Sequence, residues 1–157
     1  MLALTLLAIA AAAGFSARWN WWRPHNPGVP VLAYHKVGNP PPSSKLKKLW
    51  VSKAEFRAQM NYLVKNGYTA LTFSDAEKIM DGQMALPKKP VLITFDDGYE
   101  NNYTHARPVL QELGLKGNIF LTCESMDKHN FWHNPQEEPW INMLTWQQAL
   151  DMQKDGV

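Results

Sequence analysis

The stretch that decides the fold is Pro90-Val91-Leu92-Ile93-Thr94-Phe95-Asp96-Asp97-Gly98-Tyr99. Val91 to Phe95 is a continuous apolar, β-prone run of the kind that is buried on both faces in a parallel sheet. Asp96 and Asp97 stand at its C-terminal end, and Gly98 lets the backbone turn sharply after them. Successive strand residues point to opposite sides, so two neighbouring acids do different jobs unless the chain turns between them. One suits a metal ion; the other suits accepting a proton from the metal's water. Two ionised groups at a low-dielectric strand mouth are costly without a cation, and a divalent ion both offsets that cost and lowers the pKa of its water toward ~7. The alternative is an Asp-Asp-Gly turn that only caps the strand or the next helix.

Outward from this strand the pattern repeats in strand-then-helix units. On the N-terminal side, Val29 to Tyr34 reads as a first strand, followed by a turn-rich loop with Pro40, Pro41 and Pro42. Ser52-Lys53-Ala54-Glu55 is a capping box, and Phe56, Met60, Leu63 and Val64 then recur on one helical face up to the stop at Asn66-Gly67. Tyr68 to Phe73 reads as a second strand, with Ser74-Asp75-Ala76-Glu77 as a second capping box and Gly82 closing a short helix. On the C-terminal side a helix covers part of Tyr103 to Leu113, with Pro108 near its first turn, and Gly117 to Thr122 makes a fourth strand. A long loop from Cys123 to Leu144 leads to a last helix opened by Thr145-Trp146-Gln147-Gln148. This alternation implies an α/β fold with right-handed crossovers. A closed (β/α) barrel takes seven or eight strands and typically ~250 residues, so four strands correspond to about its first half.

Composition agrees with a globular chain. Of 157 residues, 45% are hydrophobic and 19% charged, which excludes disordered and collagenous classes. Residues 1–17 are almost wholly apolar and read as a signal peptide or N-terminal membrane anchor; either delivers the rest of the chain outside the cytoplasm, and possession of an anchor implies membrane association. Residues 18–28, with Pro24 and Pro27, read as a linker, and 29–157 as the folded domain. Apart from Arg18 and Arg23 the basic and acidic residues balance at 14 each, so nothing in the charge points to nucleic acid. The lone Cys123 excludes an internal disulfide and a cysteine-based zinc site.

Leu32-Ala33-Tyr34-His35-Lys36-Val37, Phe56 to Tyr62 with Asn66-Gly67-Tyr68, Val91 to Tyr99, and Gly117-Asn118-Ile119-Phe120-Leu121, in this order and spacing, resemble the polysaccharide deacetylase family, also called the NodB homology domain or carbohydrate esterase family four. The likeness covers nearly all of 29–157. It implies a distorted (β/α) barrel and metal-dependent hydrolysis of N-acetyl groups on an extracellular N-acetylglucosamine polymer, with release of acetate. By the family's pattern Asp96 is the general base and Asp97 a ligand of a divalent cation, zinc by the same resemblance. The opening Tyr-His-x-Val looks more like deacetylases of poly-N-acetylglucosamine than those of peptidoglycan or chitin. The family's two histidine ligands, in a His-Ser/Thr-x-x-His motif, would lie beyond Val157, so the resemblance implies an N-terminal fragment cut before that motif. A non-catalytic glycan-binding or membrane-tethered interaction module is the competing reading; phosphate transfer by the aspartate pair lacks a Gly-rich cradle.

The remaining candidates are weaker. His35 lies on the same rim as Asp96 and Asp97 and is a candidate substrate-binding residue, as is Tyr99, whose side chain reads better as packing at a helix start. His129 and His133 have the i, i+4 spacing of a metal pair, but Asn134-Pro135 breaks any helix there, and they read as a solvated loop or a lip of a glycan groove. Trp132 and Trp140 read as loop tryptophans that cover the core, with stacking on sugar rings as the alternative. Cys123 reads as a small core residue, His105 as structural, and Lys45, Lys47 and Lys48 as a solvated basic loop.

Overall fold

The computed structural model describes residues 2–19 and 28–157. Helix α1 spans Leu2–Trp19, and most of the linker read at 18–28 lies outside the described residues. Among the described residues no helix is long and apolar enough to cross a membrane.

The domain that follows is built from β1 (Val31–Tyr34), β2 (Lys36–Val37), β3 (Trp50–Val51), α2 (Lys53–Lys65), β4 (Thr69–Leu71), α3 (Phe73–Met80), β5 (Pro90–Phe95), α4 (Arg107–Leu113), β6 (Asn118–Ile119) and α5 (Trp146–Lys154). Strand β5 is central, and every pairing is parallel. On one edge Val31 to Tyr34 pair with Leu92 to Phe95. The other edge is shared: β4 occupies Pro90 to Leu92 and β6 occupies Thr94 and Phe95. The main sheet thus runs β1-β5-β4, so β1 and β4 are separated by β5 instead of lying side by side as successive strands of a regular barrel do.

Asn118 closes the gap where one neighbour gives way to the other. Its amide donates to the Leu71 and Ile93 carbonyls at 3.1 and 3.2 Å, and its oxygen accepts from the Phe73 N–H at 2.8 Å. Those three bonds satisfy a buried polar side chain and complete the ladder that β4 leaves unfinished.

Helix α2 begins as the sequence dictates. The Ser52 hydroxyl accepts from the Glu55 N–H while Glu55 reaches back to the Ser52 N–H, and Phe56, Met60 and Leu63 turn inward. They meet Val91, Ile93 and Phe95 of β5 and Val109 and Leu110 of α4 in one core. Tyr34, Phe56 and Phe95 form its aromatic centre, with ring centroids 5.1 to 5.9 Å apart. Each such side chain, once fully buried, contributes roughly 1.5–3 kcal/mol.

Some boundaries differ from the sequence reading. The second strand ends at Leu71, and α3 is capped by Thr72 with Asp75 at its third position, one box earlier than Ser74 and Glu77. Two overlapping boxes compete there, and Asp75 wins because it also pairs with Lys116 at 2.8 Å. The fourth strand shrinks to Asn118–Ile119. Helix α4 is entered through a π-helical turn over Asn102–Ala106, leaving Pro108 within its first two positions, where a missing N–H costs nothing. The proline-rich loop after β1 is closed at its base, because β2 and β3 on either side of it pair in parallel, Lys36 with Trp50 and Val37 with Val51.

Candidate active site

The C-terminal ends of β1 and β5 deliver the candidate residues to one rim. The Asp96 N–H donates to the Tyr34 carbonyl at 2.8 Å, which continues the β1–β5 ladder one residue beyond the strands. That register sets His35 beside Asp96, with Nε2 3.8 Å from Oδ2 and both side chains about a third exposed. Solvent reaches both groups, as proton exchange with a water nucleophile requires.

The chain turns between the two acids. Asp97 and Gly98 have φ of 71° and 81°, a left-handed pair that aspartate tolerates and glycine favours. The turn is held on both sides: the Thr122 N–H donates to the Asp97 carbonyl and the Leu144 N–H to the Gly98 carbonyl. A Cβ on Gly98 would lie 2.9 Å from Leu121 Cδ2, so the close approach also calls for glycine. The two carboxylates therefore leave the strand in different settings, as a base and a ligand would need.

Tyr99 is wholly buried. It forms a bridge with Met143 and has the Lys36 ammonium 4.7 Å from its ring centroid. Burial, then the neighbouring Asp97 charge, pushes its phenol well above the ordinary range, so it stays protonated at any working pH. The side chain is a packing element under the turn, not a surface offered to a large ligand.

The sequence reading missed Lys36 and Glu138. They form an ion pair of 2.7 Å with 0% and 1% side-chain exposure, and Glu138 also accepts from the Ser44 hydroxyl and the Leu46 N–H. Strand β2 has both residues buried, which places a lysine inside, but no local pattern names a partner 102 residues away.

Other expectations resolve as follows. His105 is structural: its Nδ1 lies 2.6 Å from the Val37 carbonyl. His129 and His133 are not on a helix, and the His129 ring stacks on Trp140 at 4.2 Å. Lys45 pairs with Glu137 in solvent. Cys123 is exposed, not a core residue, because β6 ends at Ile119, well before it. Trp132 packs on buried Tyr99, as a tryptophan covering the core does, yet stays 40% exposed, and Trp140 is 52% exposed.

As for a metal ion, His35, Asp96 and Asp97 offer an imidazole and hard carboxylate oxygens, but among the described residues no group of three His, Cys, Asp or Glu side chains is placed to hold one. The described residues do not form a complete metal centre.

Comparison with known proteins places this geometry in context. Residues 83–157, from before β5 to α5, match the family model described as polysaccharide deacetylase. A Bacillus subtilis protein named as a polysaccharide deacetylase, YxkH, is 38% identical over 120 residues, which are 75% of this chain and 41% of that one. The poly-beta-1,6-N-acetyl-D-glucosamine N-deacetylase of Escherichia coli K12 is 33% identical over 88 residues, 56% of this chain and 13% of that one. The structure of IcaB from Ammonifex degensii superposes with a TM-score of 0.66 at 32% identity, over 84% of this chain and 51% of that chain. The chain thus spans about half or less of the proteins it matches, and the structures it resembles have the (β/α) barrel fold.

Proposed function

We propose that the chain is part of a polysaccharide deacetylase, the family whose model matches residues 83–157, and that it carries the base-bearing part of a site that hydrolyses N-acetyl groups on an N-acetylglucosamine polysaccharide. The observation that carries this reading is the turn at Asp96-Asp97-Gly98, which sets two carboxylates at the mouth of β5 with His35 3.8 Å from Asp96.

In the reaction, Asp96 accepts a proton from water as the oxygen attacks the acetyl carbonyl carbon. The tetrahedral intermediate then loses the sugar amine, which leaves with a proton, and acetate is released. General base catalysis of this kind contributes typically 10²–10⁴-fold. His35, on the same rim beside Asp96, contacts the sugar in this reading. A divalent cation, zinc by family resemblance, belongs to it too, with Asp97 as one of its ligands, and when bound it would polarise the acetyl carbonyl and its water; the described residues do not complete its coordination. The names of the matched relatives support a poly-N-acetylglucosamine substrate, and the apolar stretch 1–17, read as an export signal or anchor, supports action outside the cytoplasm.

The test uses the full-length protein supplied with zinc. It is expected to release acetate from acetylated glucosamine oligomers, with Asp96→Asn lowering kcat by roughly 10²–10⁴ and leaving oligomer binding intact. Failure to release acetate from any such oligomer overturns the proposal. A second reading, a glycan-binding module without catalysis, is favoured by the exposed tryptophans Trp132 and Trp140. Oligomer binding that persists in the Asp96→Ala, Asp97→Ala double variant with chelator present, without hydrolysis by the parent protein, would select it.

A further inference from the structure

We propose that Trp132 and Trp140, exposed on the loop that is joined to the Asp96-Asp97-Gly98 turn, take pyranose rings of the polymer; this rests on the glycan reading above. Large aromatic faces left in water are unfavourable, and a contiguous exposed group of them marks a binding surface. Trp140 is 52%, Trp132 40% and Phe131 39% exposed, all within one loop.

The platform is held rigidly. Asn130 is fully buried; its side-chain oxygen accepts from the Ile141 N–H at 2.7 Å, and its amide donates to the Pro139 carbonyl at 3.4 Å. The Trp140 indole N–H is already satisfied by the His133 carbonyl at 3.1 Å, and one indole face is stacked on His129. Glu138, two residues earlier, is fixed by Lys36. What Trp140 leaves available is therefore an apolar face, not a donor. The C–H face of a pyranose matches such a surface, while its hydroxyls reach a polar surround.

Two observations select a sugar over a lipid surface. The loop is joined to the candidate site: Tyr99 bridges Met143, the Leu144 N–H donates to the Gly98 carbonyl, and Trp132 packs on buried Tyr99 with centroids 6.3 Å apart. Its surround is polar with charges of both signs, Glu137 being paired with Lys45 and the Lys128 ammonium lying 5.9 Å from the Phe131 ring centroid, whereas attachment to anionic membranes calls for clustered Lys and Arg without balancing acids.

The experiment compares full-length parent, Trp140→Ala, Trp140→Phe and, as a control on the exposed face of α2, Tyr62→Ala. Binding of N-acetylglucosamine monomer, trimer and pentamer is followed by calorimetry, with acetate release measured in parallel and folding checked by thermal melting. Trp140→Ala is expected to weaken pentamer binding about tenfold and to raise KM for the pentamer with kcat unchanged, while Trp140→Phe, which keeps a stacking face, retains most of the affinity. Monomer handling and Tyr62→Ala are expected to match the parent. Equal pentamer affinity in parent and Trp140→Ala overturns the platform even if acetate is released. Loss of affinity in Trp140→Ala where the parent releases no acetate supports the platform and overturns the hydrolytic reading. No pentamer binding by the parent, or a Trp140-dependent response only to phosphatidylcholine–phosphatidylglycerol vesicles, overturns the platform.

Discussion

The Lys36 ammonium lies 2.7 Å from the Glu138 carboxylate, and neither side chain is open to solvent. The pair ties β2, which directly follows His35, to the loop that carries Trp132 and Trp140. Burial alone would push the Glu138 carboxyl up, but Lys36, Ser44 and the Leu46 N–H together hold it below its ordinary value. The loop is thus anchored by a charge pair whose desolvation cost is offset only while both partners are present.

Removing one partner leaves a buried, uncompensated charge. Glu138→Leu or Lys36→Met is therefore expected to destabilise the fold by about 3–5 kcal/mol, and the Lys36→Met, Glu138→Leu double variant to recover much of that loss. Urea denaturation of the three variants checks it. Additive losses in the double variant would show that the two groups do not act as a pair.

How far the sequence reveals this arrangement depends on how local each determinant is. Strand β5, the Ser52 and Thr145 caps and the turn at Gly98 are written within a few residues, and each forms where its pattern places it. The cap of α3 is ambiguous locally because Thr72-x-x-Asp75 and Ser74-x-x-Glu77 overlap; distant Lys116 decides between them. Lys36 with Glu138, and Asn118 with Leu71 and Ile93, join segments far apart in the chain, and no periodicity encodes such partners. Trp132 and Trp140 read inward from sequence because aromatic side chains usually are, whereas Asn130 and Glu138 take the loop's buried positions and leave both indoles partly exposed, Trp132 with one side still packed on Tyr99. His35, Asp96 and Asp97 are legible as a rim group; that His35 adjoins Asp96 follows from the β1–β5 register.

The left-handed turn separates fold from chemistry at position 97. Asn tolerates positive φ as aspartate does, so Asp97→Asn is expected to change stability by less than about 0.5 kcal/mol, while Asp97→Val, β-branched at φ 71°, costs about 1–3 kcal/mol. If Asp97 is a ligand, both variants lose acetate release in the full-length protein. Thermal melts beside an acetate assay check the pair, and an active Asp97→Asn enzyme would remove Asp97 from the metal role.

Acid should loosen the junction of α3 and β6 first. The Lys116 ammonium, then the Thr72 N–H, hold the Asp75 carboxyl down at about 2, against 3.8 ordinarily. In that interval the unfolded chain binds more protons than the folded one, so stability is full above about 4 and falls as the pH drops toward about 2. Since Lys116 is half exposed, solvent screening holds the contribution to ~1–2 kcal/mol. Asp75→Asn is expected to be less stable at neutral pH and to flatten this acid limb; an unchanged limb in denaturation curves across the interval would assign it to other carboxylates.

Asn118 holds the seam in the β5 edge where β4 gives way to β6. Asn118 is 8% exposed, and its amide serves two carbonyls on two strands while its oxygen holds the N–H of the first residue of α3. Asn118→Asp keeps the acceptor and loses the donors, facing two carbonyls with a buried negative charge; Asn118→Leu loses both functions and leaves the Phe73 N–H without its acceptor. An unmet buried group costs about 1–3 kcal/mol, so both variants are expected to destabilise by at least that much. Amide exchange should accelerate at Phe73 in Asn118→Leu, where its acceptor is gone, and less in Asn118→Asp, where a carboxylate oxygen still receives that N–H. Equal protection at Phe73 in the two variants would mean that β4 and β6 are held to β5 by the strand ladder alone.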